Sequence, residues 1–126
     1  MKKIIFTEKA PAPIGPYSQA VVTGNTLYTS GQIALHPQTG ELVLDDIETE
    51  TKQVMENMSA VLEAAGMSFE NVIKSTIFIS DMNDFAKINS VYGSYFNEKT
   101  APARETVQVA KLPKNVNVEI SMIAVL

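Results

Sequence analysis

A chain of 126 residues with a net charge of −4 at pH 7 is predicted to form one domain, residues 1–126, around one hydrophobic core. The acidic balance and the lack of any run of Lys or Arg argue against binding to the phosphate backbone of nucleic acids. No apolar run approaches the roughly 20 residues that a membrane-spanning helix needs.

The residue types that are scarce in this chain exclude several kinds of site. There is no cysteine, so disulfides, thiolate nucleophiles and cysteine-based zinc sites cannot form. His36 is the only histidine, which removes multi-histidine metal sites, and the Pro and Gly around it predict an exposed hairpin turn. The first apolar segment, Ile4–Phe6, is too short for the core of a signal peptide. We therefore predict a cytoplasmic protein whose site contains no metal.

Strands are predicted through the first third of the chain. Segment 1–9 is predicted to contain a short strand, and the proline-rich segment 10–16 an ordered loop. Gln19–Thr23 and Thr26–Ser30 are predicted to pair as a hairpin, because Gly24-Asn25 between them favours a tight two-residue turn.

Two helices, each with one apolar stripe, are predicted next. After a short returning strand at Glu41–Val43, either Asp45 or Asp46 offers an N-cap for a long helix that ends at Gly66. Asp81 is predicted to cap the second helix. The apolar positions recur at helical spacing, and they are Ile47, Thr51, Val54, Met58, Val61, Leu62 and Ala65 in the first helix and Phe85, Ile88, Tyr92 and Phe96 in the second.

Three more strands complete the predicted fold. Val72–Ser80 alternates along its length and is predicted to be buried mainly on one face, and the last two strands are predicted at about Arg104–Val109 and Asn117–Val125. The resulting order, β-β-β-α-β-α-β-β, predicts an α+β fold. In this fold two helices cover one face of a mostly antiparallel six-stranded sheet.

The two-residue period of a strand groups the polar residues near the C-terminus. Arg104, Thr106 and Gln108 share one face of their strand, and Asn117 and Glu119 share one face of the next strand. Since the helices take one face of the sheet, we expect these polar residues on the other face, beside aliphatic ones. Such a mixed face is poorly suited to water, which predicts burial against another subunit and sites shared between chains.

Arg104 and Glu119 are the residue types that most clearly suggest chemistry. If their strands pair, a guanidinium that can bind a small carboxylate through two hydrogen bonds lies near a carboxylate that can act as a base and order a water. The alternative is a cross-strand ion pair on a solvated sheet face, which is common in sheets.

Several ordered motifs resemble those of the reactive-intermediate deaminase family, also called Rid, YjgF or L-PSP, over essentially the whole chain. They are APIGPYSQ at 12–19, YTSGQI at 28–33, FISDMNDF at 78–85, PAR at 102–104, KLPK at 111–114 and VEI at 118–120. The resemblance implies a chorismate-mutase-like α+β fold and a homotrimer with three clefts between subunits. It also implies hydrolysis of 2-imino acids, or their enamine tautomers, to 2-keto acids and ammonia without a cofactor.

The resemblance implies roles for residues at matching positions. Arg104 would bind the substrate carboxylate with help from the backbone N–H of Gly31, and Glu119 would hold and polarise the attacking water. Thr106 stands where many relatives carry cysteine, and its backbone carbonyl can still orient water. A protonated imine beside a carboxylate is already electrophilic, so water can attack it without a metal or a covalent nucleophile.

Three further residues are implied near the cleft, and each has a purely structural alternative. Tyr17 and Ser30 would line the cleft and assist proton transfer, and Asn89 would contribute to substrate binding. Alternatively, Tyr17 is a packing aromatic with a solvated hydroxyl, Ser30-Gly31 is an ordinary turn at a strand end, and Asn89 bonds to backbone.

One departure from the family pattern bears on the activity. Glu105 stands where active relatives typically carry a small residue such as serine. Strand alternation points its side chain away from Arg104, but an additional carboxylate nearby would weaken anion binding.

Two other functions remain open at this point. One is a non-enzymatic module that binds 2-keto acids, or that docks a trimer face on another protein. The other is an RNA-cleaving translation inhibitor. The acidic charge and the single histidine count against RNA cleavage, which usually needs cationic phosphate binding and paired acid–base groups.

Overall fold

The computed structural model describes the whole chain, residues 1–126. It contains six β-strands and two α-helices in the predicted order, so the α+β class is confirmed. The elements are β1 Lys3–Ile5, β2 Ala20–Thr23, β3 Thr26–Thr29, α1 Ile47–Ala64, β4 Val72–Ile79, α2 Phe85–Gly93, β5 Ala103–Gln108 and β6 Val118–Val125. Neither helix is long and apolar enough to cross a membrane.

The predicted turn and cap residues fix the ends of the hairpin and of α1. β2 and β3 pair as the predicted hairpin, with Gly24 in the left-handed region at φ 59°. Asp46 is the N-cap of α1, since its carboxylate accepts a hydrogen bond of 2.7 Å from the Thr49 N–H. Gly66, at φ 74°, follows the end of the helix, as expected for a residue that needs no Cβ there.

Three local predictions are wrong in detail. Asp81 caps a short 3-10 turn, Met82–Asp84, and α2 begins only after that turn. Glu41–Val43 forms no strand. Its only β-pairing is an isolated bridge between Leu42 and Leu35. His36 lies in the predicted turn but is half-buried, and its Nδ1 accepts hydrogen bonds from two backbone N–H groups within the turn.

The sheet order is β1-β2-β3-β6-β4-β5. Every neighbouring pair is antiparallel except β4 and β5, which are parallel. The reason is that α2 connects β4 to β5, and a helical crossover returns the chain parallel to the strand that it left. β4 therefore lies between β5 and β6, so the last two strands of the chain do not pair.

The hydrophobic core lies between α1 and the sheet. Val54, Met58 and Leu62 of α1 have no exposed surface and belong to one cluster with Ile120 and Met122 of β6. A buried polar contact also fixes the segment after β3: the Asn57 side chain of α1 donates hydrogen bonds to the carbonyls of Ile33 and Leu35, at 3.1 and 2.9 Å. The helix thus positions both the sheet and the segment that follows β3.

The sheet face turned away from the helices carries no covering element. It includes Tyr28, Thr76, Phe78 and Ile123, of which Tyr28 is 46% exposed. A mixed polar and apolar face of this kind suits contact with another subunit, and the homotrimer remains a prediction.

Candidate functional site

A cleft of about 430 Å³ lies beside the start of β6. Its walls are the proline-rich loop, the segment that follows β3, and the turn that precedes β6. Four of the residues predicted to act lie together here: Tyr17, Ser30, Gly31 and Glu119. The volume falls within the range of about 300–1,000 Å³ that is typical of small-molecule sites.

The proline-rich wall is held by the buried side chain of Gln19. Its Oε1 accepts a hydrogen bond of 2.7 Å from the Thr7 N–H, and its Nε2 donates to the carbonyls of Thr7, Ala10 and Pro11. The three prolines of this loop have no backbone N–H to donate. The side-chain amide of Gln19 instead supplies fixed hydrogen-bond partners to the backbone of the loop and of Thr7. The cleft wall is therefore ordered without regular secondary structure.

Tyr17 is placed at the cleft by the same loop. Its hydroxyl accepts a hydrogen bond of 3.2 Å from the Ile14 N–H, and its side chain remains 52% exposed. An exposed ring contributes little to the core, so the packing-aromatic alternative has little support. The hydroxyl proton is free for a ligand or water, because the hydroxyl acts as acceptor in its only bond within the chain.

Glu119 and Gly31 are in close contact in the cleft. A Cβ at position 31 would lie 2.7 Å from Cδ and 3.0 Å from Oε2 of Glu119, so only glycine leaves room for the carboxylate. The carboxyl is half-buried, and this burial raises the pKa of Glu119 above its ordinary value. A carboxylate whose pKa is raised is a stronger proton acceptor than an ordinary carboxylate.

The Ser30-Gly31 segment combines a structural role with a free donor. The Ser30 hydroxyl donates a hydrogen bond of 2.6 Å to the Ser18 carbonyl, and the Ser30 N–H donates to the Gln19 carbonyl. The Ser30 side chain therefore stabilises the loop contact. The Gly31 N–H has no acceptor within the chain, and it can bind an anionic or carbonyl oxygen of a ligand.

Arg104 lies on β5, beside α2, and is far from this cleft in the sheet. Its guanidinium carbon is 5.7 Å from the ring centroid of Phe85 and 5.2 Å from that of Tyr92. Nη1 donates a hydrogen bond of 2.6 Å to Oδ1 of Asn89. Asn89 thus orients the arginine rather than bonding to backbone, and the stacked rings limit its motion.

Thr106 lies two residues beyond Arg104 on the same strand face. Its Oγ1 is buried and has no hydrogen-bond partner, the only such side-chain atom in the chain. An oxygen that water cannot reach is equally out of reach of a ligand within one chain. The predicted role of Thr106 through its backbone carbonyl, which does not use this oxygen, stays a prediction.

The expectation that Arg104 and Glu119 meet on one sheet face is wrong for a single chain. Arg104 pairs with Ser75, whose side chain is buried under α2, whereas Glu119 pairs with Phe78 on the open face. The strand β4 lies between them. The cross-strand ion pair is excluded for the same reason.

Asn117 was expected on the same face as Glu119, but it contacts α1 instead. Both oxygens of the fully buried Glu50 carboxylate accept hydrogen bonds from Asn117, at 2.7 Å from its N–H and 2.8 Å from its side-chain amide. The Asn117 Oδ1 accepts a further bond from Ser80. These contacts fix the residues just before β6, and with them the position of Glu119.

Two residues of the cleft received no role from the sequence. Gln19 lies in a predicted strand and in a family motif. Its place just after a proline-rich loop is the signal that such a loop needs side-chain partners. Lys114 lines the cleft, and its signal was the Pro113-Lys114-Asn115 turn that leads into β6. The chain holds no cluster of three or more His, Asp or Glu side chains that could bind a metal ion.

The model of one protein family, described as endoribonuclease L-PSP, matches residues 7–126. The chain belongs to this family, which is also called Rid, YjgF or RutC. A RutC family protein of Pyrococcus horikoshii is 57% identical over 124 residues, which cover 98% of each chain. A relative from Escherichia coli named 2-iminobutanoate/2-iminopropanoate deaminase is 49% identical over 127 residues, which cover 99% of this chain and 98% of the relative.

Solved structures of the family share the fold described above. A Rid family protein of Yersinia pestis matches with a TM-score of 0.97 and 47% identity over the full length of both chains. The Escherichia coli protein TdcF, which was crystallised with bound serine, matches with a TM-score of 0.92 and 50% identity over 98% of each chain.

Proposed function

We propose that this protein hydrolyses reactive 2-imino acids and their enamine tautomers to 2-keto acids and ammonia. The proposed substrates are 2-aminoacrylate, 2-iminobutanoate and 2-iminopropanoate. The observation that carries the proposal is the half-buried Glu119 carboxyl in a cleft of ligand size, beside the free Gly31 N–H. The deaminase name of the Escherichia coli relative, at 49% identity, supports the same reaction.

The proposed chemistry needs three functions from the protein. Arg104 binds the substrate carboxylate through two parallel hydrogen bonds, and the Gly31 N–H supports that binding. Glu119 accepts a hydrogen bond from a water and takes its proton as the oxygen attacks the imine carbon. Glu119 then returns this proton to the nitrogen of the carbinolamine. As the C–N bond breaks, the remaining hydroxyl gives its proton to Glu119 to form the C=O bond, and the keto acid and ammonia leave. The raised pKa of Glu119 makes its carboxylate a stronger proton acceptor than an ordinary carboxylate.

The proposed site is shared between subunits. Within one chain Arg104 faces α2 and Glu119 lies in the cleft on the other side of β4, so the two residues can act on one substrate only when two chains meet. The open sheet face and the unpaired outer edge of β5 are the surfaces available for that contact. A homotrimer with three such clefts satisfies this requirement.

The unusual Glu105 is compatible with this proposal. Its carboxylate forms an ion pair of 3.4 Å with Lys74, and it points to the opposite side of β5 from Arg104. The pair is exposed and adds little stability. It nevertheless places the positive charge of Lys74 beside the Glu105 carboxylate, which would otherwise compete with the substrate carboxylate for Arg104.

The test is a coupled assay in which threonine dehydratase forms 2-iminobutanoate and the decay of the imine is followed with and without this protein. Arg104→Lys keeps the charge of the only arginine but loses the planar fork, so we expect a roughly ten- to hundredfold loss in kcat/KM. Lys87→Ala, an exposed change on α2 outside the cleft, is the control. Sedimentation should give about three times the chain mass of 13.7 kDa. A folded Arg104→Ala protein with wild-type turnover would exclude the proposed mechanism.

A second candidate is a protein that binds 2-keto acids or amino acids without turning them over. The structure of TdcF with bound serine favours small-molecule binding within the family. Binding of 2-oxobutanoate without any acceleration of imine decay would support this second candidate over the first.

A further inference from the structure

Lys114 lines the same cleft as Glu119, Tyr17 and Ser30, and the proposed reaction gives it no role. Arg104 already binds the carboxylate that every 2-imino acid carries. Lys114, the second positive side chain at the cleft, is therefore available to bind a different anionic group.

The backbone holds Lys114 in an uncommon conformation. Its φ and ψ are 55° and 21°, in the left-handed region that residues with a Cβ rarely adopt, and Asn115 follows at φ 59°. Buried Leu112 and Val116 anchor the turn on both sides. Hydrogen bonds from the Asn115 N–H to the Leu112 carbonyl and from the Val116 N–H to the Pro113 carbonyl close the turn, at 3.0 and 3.2 Å. Conformations of this kind persist where the surrounding structure fixes them, and they are frequent at ligand sites.

The charge of Lys114 is not used within the chain. The only ion pair within 4 Å joins Lys74 and Glu105, so no carboxylate neutralises Lys114. When Arg104 of another chain completes the proposed site, it binds the carboxylate of the substrate. Lys114 then still has no carboxylate within 4 Å to pair with.

The cleft wall also offers apolar contact to a longer side chain. It contains apolar side chains such as Ile14, Ile33 and Leu35, which suit the methylene groups of a longer substrate. Apolar contact and a free cation thus occur in one cleft.

We infer that the cleft accepts 2-imino acids that carry a second carboxylate on a short side chain, and that Lys114 binds this second carboxylate. The inference rests on the proposed function and adds a substrate class to it. Lys114 is then a residue that determines specificity, because it contacts the part of the substrate that does not react.

The activity test compares 2-iminosuccinate, formed in situ from L-aspartate by an aspartate oxidase, with 2-iminobutanoate. Lys114→Met removes the charge but keeps the Cβ and much of the length, and Lys114→Arg keeps the charge. The control is Lys111→Met, an exposed lysine of the same segment that does not line the cleft. We expect the ratio of kcat/KM for the two substrates to fall about tenfold or more in Lys114→Met and to stay near the wild-type ratio in the other two variants. A ratio within twofold of wild type in Lys114→Met overturns the inference and leaves the proposed function intact.

A binding test separates this inference from the reaction itself. The keto acids 2-oxoglutarate and 2-oxobutanoate are titrated into each protein by calorimetry. Tighter binding of 2-oxoglutarate by the wild type, with the preference lost in Lys114→Met and kept in Lys114→Arg, supports the inference even if neither imine is hydrolysed. Equal affinity of the wild type for both keto acids overturns it.

Discussion

Two inactive variants of this protein should restore activity when they assemble together. Arg104→Ala removes the proposed contact with the substrate carboxylate, and Glu119→Gln replaces the proposed base with an amide that cannot take a proton. Each variant alone is expected to lose at least about ten- to hundredfold in kcat/KM, because a hydrogen bond to a charged group contributes about 1.5–3 kcal/mol. Arg104 is exposed, and its ring contacts contribute only about 0.5–1 kcal/mol, so the variants should fold.

The expected recovery follows from the positions of the two residues. Arg104 and Glu119 lie on opposite faces of the sheet with β4 between them, so each proposed site would take one residue from each of two chains. In a random equal mixture, a cleft has an intact arginine with probability one half and an intact glutamate with probability one half. About a quarter of the clefts are then complete, and the mixture should reach about a quarter of wild-type activity.

The two variants are unfolded together in denaturant, refolded and tested in the coupled 2-iminobutanoate assay, with each variant refolded alone as a baseline. Wild type refolded with an equal amount of the Arg104→Ala/Glu119→Gln double variant is the matched control. Shared sites predict about a quarter of full activity there as well, whereas sites within one chain predict about half. Mixed oligomers, shown by capture on two different tags, that have no more activity than the separate variants would refute the shared site.

Three further predictions concern single positions. Gly31→Ala should retain the fold, because the backbone of Gly31 is not in the left-handed region. It should lower kcat/KM at least about tenfold, since the new Cβ would lie 2.7 Å from Cδ of Glu119 and displace the carboxylate. Normal kinetics would show that the carboxylate has no fixed position. Thr106→Val should keep the activity and raise the free energy of unfolding by about 1–2 kcal/mol in denaturant titrations, because the buried Oγ1 has no hydrogen-bond partner. A loss of kcat at unchanged stability would assign that hydroxyl to the reaction. Glu119→Gln should raise the free energy of unfolding at neutral pH. Burial raises the pKa of Glu119 in the folded state, so ionisation of this carboxyl opposes folding. The resulting loss of stability begins as the pH rises above the ordinary pKa of 4.5 and is complete above the raised pKa. Below pH 4 that advantage should vanish in thermal melts, and a Tm difference that is constant with pH would contradict the assigned cause.

The local structure of this protein is largely determined by its sequence. Gly24-Asn25 predicts the hairpin, Asp46 and Gly66 predict the ends of α1, and the element order follows from periodicity, because these signals act over a few neighbouring residues. Family motifs predict Tyr17, Ser30 and Gly31 as cleft residues, residue type and strand alternation single out Glu119, and the structure brings the four together.

The relative positions of Arg104 and Glu119 were decided only by the tertiary structure. Alternation along a strand shows which residues share a face, but it does not show which strands are neighbours or which face meets the helices. Here the α2 crossover places β5 parallel to β4, so Arg104 faces α2 and is separated from Glu119. The buried Glu50 contact with Asn117 is also long-range, and so is the approach of Lys114 to the cleft. Such contacts depend on how distant segments pack, and no local pattern in the chain specifies them.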